Sequence, residues 1–556
     1  MTPTPTALED PGAEILEPED PVADPRRRRM ILVAMCTALV AVVASVSRLN
    51  VAQQQLAVDL GATQSQLLWV INGYTIALAA LLLPIGAIGD RFGRKKVLVS
   101  GLVLFVAANL AAALAGTVTF LLVARIAAGV GAAMIMPVTL SVITSSFPAE
   151  DRDRAVGVWA GFAGAGGILG LVTSSIVVDN FTWPWVFAVP VGMAVVAFLM
   201  TVVVVPHSRE HMEGRFDVVG SILSAVAVGA LVLAIHEGPE AGWTEPITLA
   251  GLVLGGGAAI GFVVWELRQR HPLLNLRVFR NRMLTAGSVS LLAVFAILMA
   301  LFLVLVQFLQ AGLGYSAIKA SASLLPVALI MMPLSSVAPL IARRVGMRAM
   351  FVGGMSAVAV GLALMATMAS VDGGYLSVLP GLVVLAIGVG LTMTPGTTAI
   401  TGSLPVDEQG VASALNDTVR ELGGALGVAL IGSVLSASYS SSVADATAGL
   451  PPEAATAVRE GIGGAVVVSS RMGPQGASIL DAARVAFVDG WAASMWISAG
   501  LAVTAALFAL VWTPNRRDEH ATRDALAAAA TDTGTLIDLR TDGLPAAVPV
   551  AAGANR

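Results

Sequence analysis

Fourteen predominantly apolar stretches, each about the length a bilayer core demands, run along the chain: 30–50, 67–88, 97–116, 119–143, 155–178, 185–205, 217–236, 246–266, 284–311, 317–341, 349–370, 375–401, 410–437 and 488–512. None shows the alternation over ten residues that marks a membrane strand, so the expected fold class is an all-α integral membrane protein. Between the stretches the connectors are mostly short. Residues 1–29, rich in Pro, Thr and acids, and 513–556 read as disordered tails. The one long connector is 438–487, with a short interfacial helix expected over 475–487. Composition agrees: 56% of residues are hydrophobic and 12% charged, against about 25% charged in soluble domains. No cleavable leader is evident, so the first span is expected to remain as an anchor.

Charge placement predicts the orientation. Arg26–Arg29, then Arg91, Arg94, Lys95 and Lys96, Arg152 and Arg154, Arg209 and Arg215, five arginines between 268 and 282, Arg343, Arg344 and Arg348, and Arg516 and Arg517 all fall on one side. The short connectors on the other side hold only Lys319. The positive-inside rule then puts both termini in the cytoplasm. The net charge of −4 gives no sign of a nucleic-acid partner, and the single cysteine, Cys36, permits no internal disulfide.

The chain also repeats itself. Gly89-Asp90-Arg91-Phe92-Gly93-Arg94-Lys95 is echoed by Ala342-Arg343-Arg344-Val345-Gly346-Met347-Arg348, with Arg343 where the first copy has Asp90. Each copy follows the second span of its half if spans 7 and 8 are an insertion. The expected domains are therefore a six-helix bundle over 30–205, two inserted helices within 206–283, and a second six-helix bundle over 284–512, as in transporters built from parallel halves.

The stretch from Gly86 to Lys96, Gly-Ala-Ile-Gly-Asp-Arg-Phe-Gly-Arg-Lys-Lys, could be a positive-inside loop on charge alone. In the order of its residues it resembles the cytoplasmic loop motif of the major facilitator superfamily. The resemblance covers about 31–512 and points to the fourteen-span drug:proton antiporter branch. It includes Arg125-Ile-Ala-Ala-Gly129-Val-Gly131 in span 4, Asp151-Arg152-Asp153-Arg154-Ala155 in the loop after it, Gln307-Phe-Leu-Gln310 in span 9 and Asn416-Asp417-Thr-Val-Arg420-Glu421 in span 13. It implies two six-helix bundles in the facilitator fold, a bacterial plasma-membrane location and export of amphiphilic small molecules, with a proton gradient and no cofactor as the energy source. It also implies that Gly86, Asp90, Arg91, Gly93 and Arg94 form a gate between the halves. Arg343 in the second copy would leave that latch one-sided, and Arg125 would be linked to proton transfer. Two departures matter. Where the family has an acid five residues before its Asn-Val-Ala triplet, this chain has Ser45 before Asn50-Val51-Ala52. The fifth-span antiporter motif keeps Gly166 and Gly170 but has Leu171, Ser174 and Ser175 in place of its proline and final glycines.

Charged side chains inside a span cost roughly 2.5–3.5 kcal/mol at its centre and usually face a cavity or a partner. Arg48 either snorkels to the outer surface or places a positive charge at the cavity mouth. In span 13, Asp417, Arg420 and Glu421 share a helical face. They form either a salt bridge at the inner mouth or a proton site that replaces the missing span 1 acid, burial opposing the charge and Arg420 favouring it. Polar positions in apolar spans add Asn72, Tyr74, Gln307 and Gln310, with Ser45, as substrate-cavity candidates, although each could simply bond a neighbouring helix. An enzyme is not expected. No Gly-x-x-x-x-Gly-Lys-Ser/Thr cradle occurs, and five histidines, mostly in loops, with one cysteine make no metal site. The alternatives are a lipid or metabolite exporter without proton coupling and a non-transporting membrane receptor.

Overall fold

The computed structural model describes residues 22–206, 216–405 and 408–515. Among these residues the regular elements are all helical, and fourteen helices are long and apolar enough to cross a membrane. In chain order the α-helices are α1 (Pro25–Ser47), α2 (Leu49–Leu60), α3 (Gln64–Phe92), α4 (Arg94–Ala113), α5 (Val118–Ser146), α6 (Ala149–Asn180), α7 (Ala188–Val204), α8 (Val218–Ala241), α9 (Pro246–Glu266), α10 (Arg282–Gln307), α11 (Ala317–Ala322), α12 (Leu325–Val345), α13 (Met347–Met368), α14 (Leu379–Thr401), α15 (Gln409–Ser442), α16 (Pro452–Glu460), α17 (Ile462–Met472) and α18 (Ala477–Trp512). Large apolar side chains such as Val203, Val253, Leu329 and Val511 stay exposed on the outer faces, as lipid contact requires.

The packing is duplicated. α1 lies against α5, α6 and α7 as α10 lies against α14, α15 and α18. α4 meets α5 and α7 as α13 meets α14 and α18, and α3 meets α5 as α12 meets α14. The two halves touch along two equivalent seams, α3 against α15 and α12 against α6. Glycines let the backbones meet there. A Cβ on Gly86 would stand 2.5 Å from the Gly410 carbonyl oxygen, and one on Gly157 2.6 Å from that of Ser335. The inserted hairpin rests its α8 on both α3 and α15, through Val228 and Val232 on Ala79 and Ile235 on Ala425 and Ala429. It thus covers one seam.

The repeated heptad is visible in backbone and side chains alike. Gly93 (φ 108°) and Gly346 (φ 87°) each donate their N–H four residues back, to Gly89 and Ala342, and the next helix starts at once. That positive φ is why both copies carry glycine. Lys95 then donates to the carbonyls of Val202 and Val205, and Arg27 Nε to Val204, at the end of α7. Their counterparts Arg348 and Arg282 donate to Leu510, and to Val511 and Trp512, at the end of α18. Cations thus satisfy the last carbonyls of the final helix in each half.

Several boundaries differ from expectation. Asp24 caps α1 by accepting from the Arg26 N–H at 2.9 Å, so Arg26–Arg29 are helical and not part of a disordered tail. The tails expected over 1–29 and 513–556 otherwise lie mainly outside the described residues. The connector 438–487 is largely folded: α15 continues to Ser442, α16 and α17 follow, and Tyr439 Oη donates to the Val458 carbonyl. No separate interfacial helix forms over 475–487, because from Ala477 the chain already belongs to the 36-residue α18.

Candidate functional site: the seam between the halves

Asp90 sits in the last turn of α3 and is fully buried. Its Oδ1 accepts from Arg94 Nε (3.1 Å), from Arg94 Nη2 (3.0 Å) and from the Gly410 N–H (2.9 Å). Its Oδ2 accepts from the Val411 N–H at 3.1 Å. Gly410 and Val411 belong to the first turn of α15, in the other half, where backbone N–H groups have no helical partner and the helix dipole is positive. The carboxylate therefore caps a helix across the seam. Gly86, one turn earlier, is the close-approach point that brings the cap within reach. Gly93 makes the turn, Arg94 is buried beside the acid, and Arg91 is half-buried in the last turn of α3.

The second copy also bridges the halves, which corrects the expectation of a one-sided latch. Arg343 Nη2 donates to Asp153 Oδ2 at 3.4 Å, joining the end of α12 to the start of α6. α6 stands to α12 as α15 stands to α3, so each copy holds the first turns of the equivalent helix with opposite polarity. This pair is partly exposed (45% and 21%), so it contributes only about 0–1 kcal/mol. Arg343→Asp should slow transport by about fivefold or less, and adding Asp153→Arg should restore it. Initial-rate measurements on the single and double variants at matched expression check this.

Deeper in the seam, Asp417 Oδ1 accepts from Arg420 Nη1 at 3.3 Å and from Asn416 Nδ2 at 3.1 Å, and both charged residues are buried. The Arg420 guanidinium lies 4.4 Å from the Phe295 ring centroid and 5.3 Å from that of Trp159, which belongs to the opposite half. Trp159 is held by donating to Thr139 Oγ1 at 3.0 Å. Glu421 differs from Asp417. It is half-buried and, among the described residues, has no hydrogen-bond or ion-pair partner. Its charge is felt by Arg420 on its own helix and by Tyr74 on α3. The structure thus separates two acids that share a helical face in sequence: Asp417 fixes Arg420, and Glu421 is left free at the seam.

The remaining candidates lie mostly inside the first half. Arg125 is fully buried; its Nε donates to the Val70 carbonyl and its Nη2 to that of Ser45, both at 3.3 Å, and it stacks 4.3 Å from the Tyr74 ring centroid. It thus reaches the turn of α1 where the family acid would stand. Ser45 and Tyr74 have no exposed surface: Ser45 Oγ donates to Ala41 and Tyr74 Oη to Val42. Neither lines an open cavity here, because each is spent on the α1 backbone. Asn72 is buried on α3. Arg48 neither snorkels nor stands at a mouth; it is 1% exposed, donates to Asn109 Oδ1 and lies 4.5 Å from the Phe187 ring centroid. Gln307 is half-buried, whereas Gln310 is exposed. A π-turn over Phe308–Gly312 inserts one residue and rotates Gln310 off the face it would share with Gln307.

Sequence reasoning missed Asn109, Trp159, Phe187 and Phe295, the partners of the buried arginines. It also missed Gly161 and Gly164, which with Gly157 pack α6 onto α12. Asn109 and Trp159, polar or bulky within apolar spans, were the available signals; Phe187 and Phe295 gave none.

A duplicated bundle whose halves are latched by a loop acid on a helix terminus defines a transporter class, and the chain belongs to the Major Facilitator Superfamily, whose family model matches residues 33–428. Among individual proteins, it is 30% identical over 497 residues to the methyl viologen resistance protein SmvA of Salmonella typhimurium strain LT2, covering 87% of this chain and 98% of that one. It is 33% identical over 442 residues to the multidrug efflux pump LfrA of Mycolicibacterium smegmatis, covering 79% and 87%. The fold matches that of the human organic anion transporter MFSD10 with a TM-score of 0.57 at 13% identity, over 87% of this chain and all of that one.

Proposed function

We propose that the protein exports amphiphilic small molecules across a bacterial plasma membrane by alternating access, with both termini in the cytoplasm and proton antiport as the energy source. The observation that carries the transport reading is the Asp90 latch. Its bonds cross the seam between the two halves, and its donors are a helix terminus and an arginine, groups that water can satisfy when the halves part. The printed names of the relatives, methyl viologen resistance and multidrug efflux, favour drug-like cargo. Glu421, about 18 Å along α15 from its start at about 1.5 Å per residue, lies near mid-bilayer depth and suits a carboxylate that takes up a proton on one side and releases it on the other.

The charge balance bears on cargo. In the first half the buried Arg125 reaches the turn of α1 where Ser45 occupies the position of the usual acid. Neutral, zwitterionic or anionic amphiphiles should therefore be exported better than dications. Expression in a drug-sensitive host should raise the inhibitory concentration of neutral amphiphilic antibiotics several-fold. Strong protection against a divalent quaternary ammonium compound alone would contradict this. The export reading itself is tested in inverted vesicles with the pH gradient and membrane potential collapsed separately. Accumulation should vanish with the pH gradient; accumulation that survives both treatments would refute proton antiport.

A further inference from the structure

Arg48 carries a feature that the transport cycle does not use. Among the described residues, only its Nη2 has a hydrogen-bond acceptor, Asn109 Oδ1; its Nε and Nη1 are buried without one. Phe187 covers one face of the guanidinium. The charged or ionisable groups acting on it are Arg125 and the Tyr74 phenol, so no described carboxylate offsets it. A buried charge left in this state is costly, which calls for a counter-ion.

Beside Arg48, between the ends of α1, α6 and α7, lies a cavity with about 10 Å³ of room for a water-sized guest. That is the space of roughly one small sphere. Its polar lining is Arg48, Ser174 and Thr173; Val177, Val186 and Pro190 are among the apolar wall. Ser174 is buried, and its hydroxyl engages no other described group. Thr173 Oγ1 already gives its proton to the Leu169 carbonyl. The lining therefore offers the guanidinium N–H groups and a hydroxyl as donors. Its side-chain acceptors are the Thr173 and Ser174 hydroxyl oxygens, which carry no charge, so a water there would leave Arg48 uncompensated, whereas a halide accepts from the donors and cancels the charge.

We propose that this cavity is a binding site for a monatomic anion, chloride under physiological conditions, held by Arg48 Nε and Nη1 and by Ser174 Oγ. The ion would neutralise Arg48 and tie the end of α1 to α6 and α7. The site is separate from the seam and binds its ion whether or not the protein exports drugs.

The test uses the purified full chain in lipid nanodiscs, with chloride titrated against gluconate at constant ionic strength. Wild type should show a saturable rise in Tm of several degrees, as expected of a ligand that binds only the folded state, and Arg48→Met should lose that dependence. Ser174→Ala keeps the charge and should shift the titration to higher chloride, which serves if Arg48→Met does not fold. Crystals grown in bromide should show an anomalous peak in the cavity. A chloride-independent Tm in wild type, the same dependence in Arg48→Met, or a cavity without bromide signal and holding a water only would overturn the proposal.

Discussion

Asp90→Asn is expected to lower the transport rate by at least about tenfold while the protein still reaches the membrane. The carboxylate accepts four hydrogen bonds from three groups: the Arg94 guanidinium and the N–H groups of Gly410 and Val411. An amide has one acceptor oxygen and presents a donor in place of the other, which would face the Gly410 or Val411 N–H. It also removes the charge that opposes the α15 dipole and the counter-charge that Arg94 pairs with. Removing one member of a buried pair costs about 3–5 kcal/mol, and here the loss falls on the latched arrangement more than on either half, whose own cores are untouched. Asp90→Glu, which keeps the charge but adds a methylene where Gly410 leaves no room, should recover only part of the rate. Transport and surface level measured together decide the matter; unchanged efflux at normal expression would reduce the loop to a topology signal.

Glu421→Gln should abolish concentrative efflux and spare downhill exchange. The amide imitates the protonated acid in shape and neutrality, so the packing of α15 survives. A side chain that cannot lose a proton cannot exchange its charge as the seam opens. Because Glu421 makes no hydrogen bond or ion pair among the described residues, this variant breaks no such contact. Asp417→Asn does the opposite: it leaves Arg420 buried without its counter-charge, so reduced folding is expected before any specific loss of coupling. Counterflow and pH-driven accumulation of one fluorescent amphiphile separate the two outcomes. If both variants keep full pH-driven accumulation, the triad is structural and Arg125 becomes the next site to test.

Much of the architecture is legible in the sequence for physical reasons. The span count follows from hydropathy and bilayer thickness, and the heptad echo is visible because only glycine suits the positive φ at 93 and 346. The latch acid stood out because the order of glycines and charges around it, Gly86 to Lys96, is more specific than a positive-inside loop needs. Less was legible where a third dimension decides. Arg48 lies near enough to the end of its span to snorkel, but Asn109 and Phe187, distant in sequence, draw it inward. Tyr74 and Ser45 read as cavity groups until the α1 backbone takes their hydroxyls. The Arg343–Asp153 pair was hidden because the second copy reverses the charge and the acid comes from an unrelated stretch. Gln310 was misplaced by a π-turn, which leaves no mark on composition.

The central claim, that Asp90 holds the two halves together at this end during transport, is tested most directly by distance. Spin labels at Lys96, just after the first heptad, and Val345, within the second, exposed positions on opposite halves, report their separation in lipid nanodiscs once Cys36 is replaced by Ala. The account predicts a predominant short distance for otherwise wild-type protein and a shift of the majority to a longer one in Asp90→Asn. Identical distance distributions in the two proteins, with transport lost in Asp90→Asn, would contradict it.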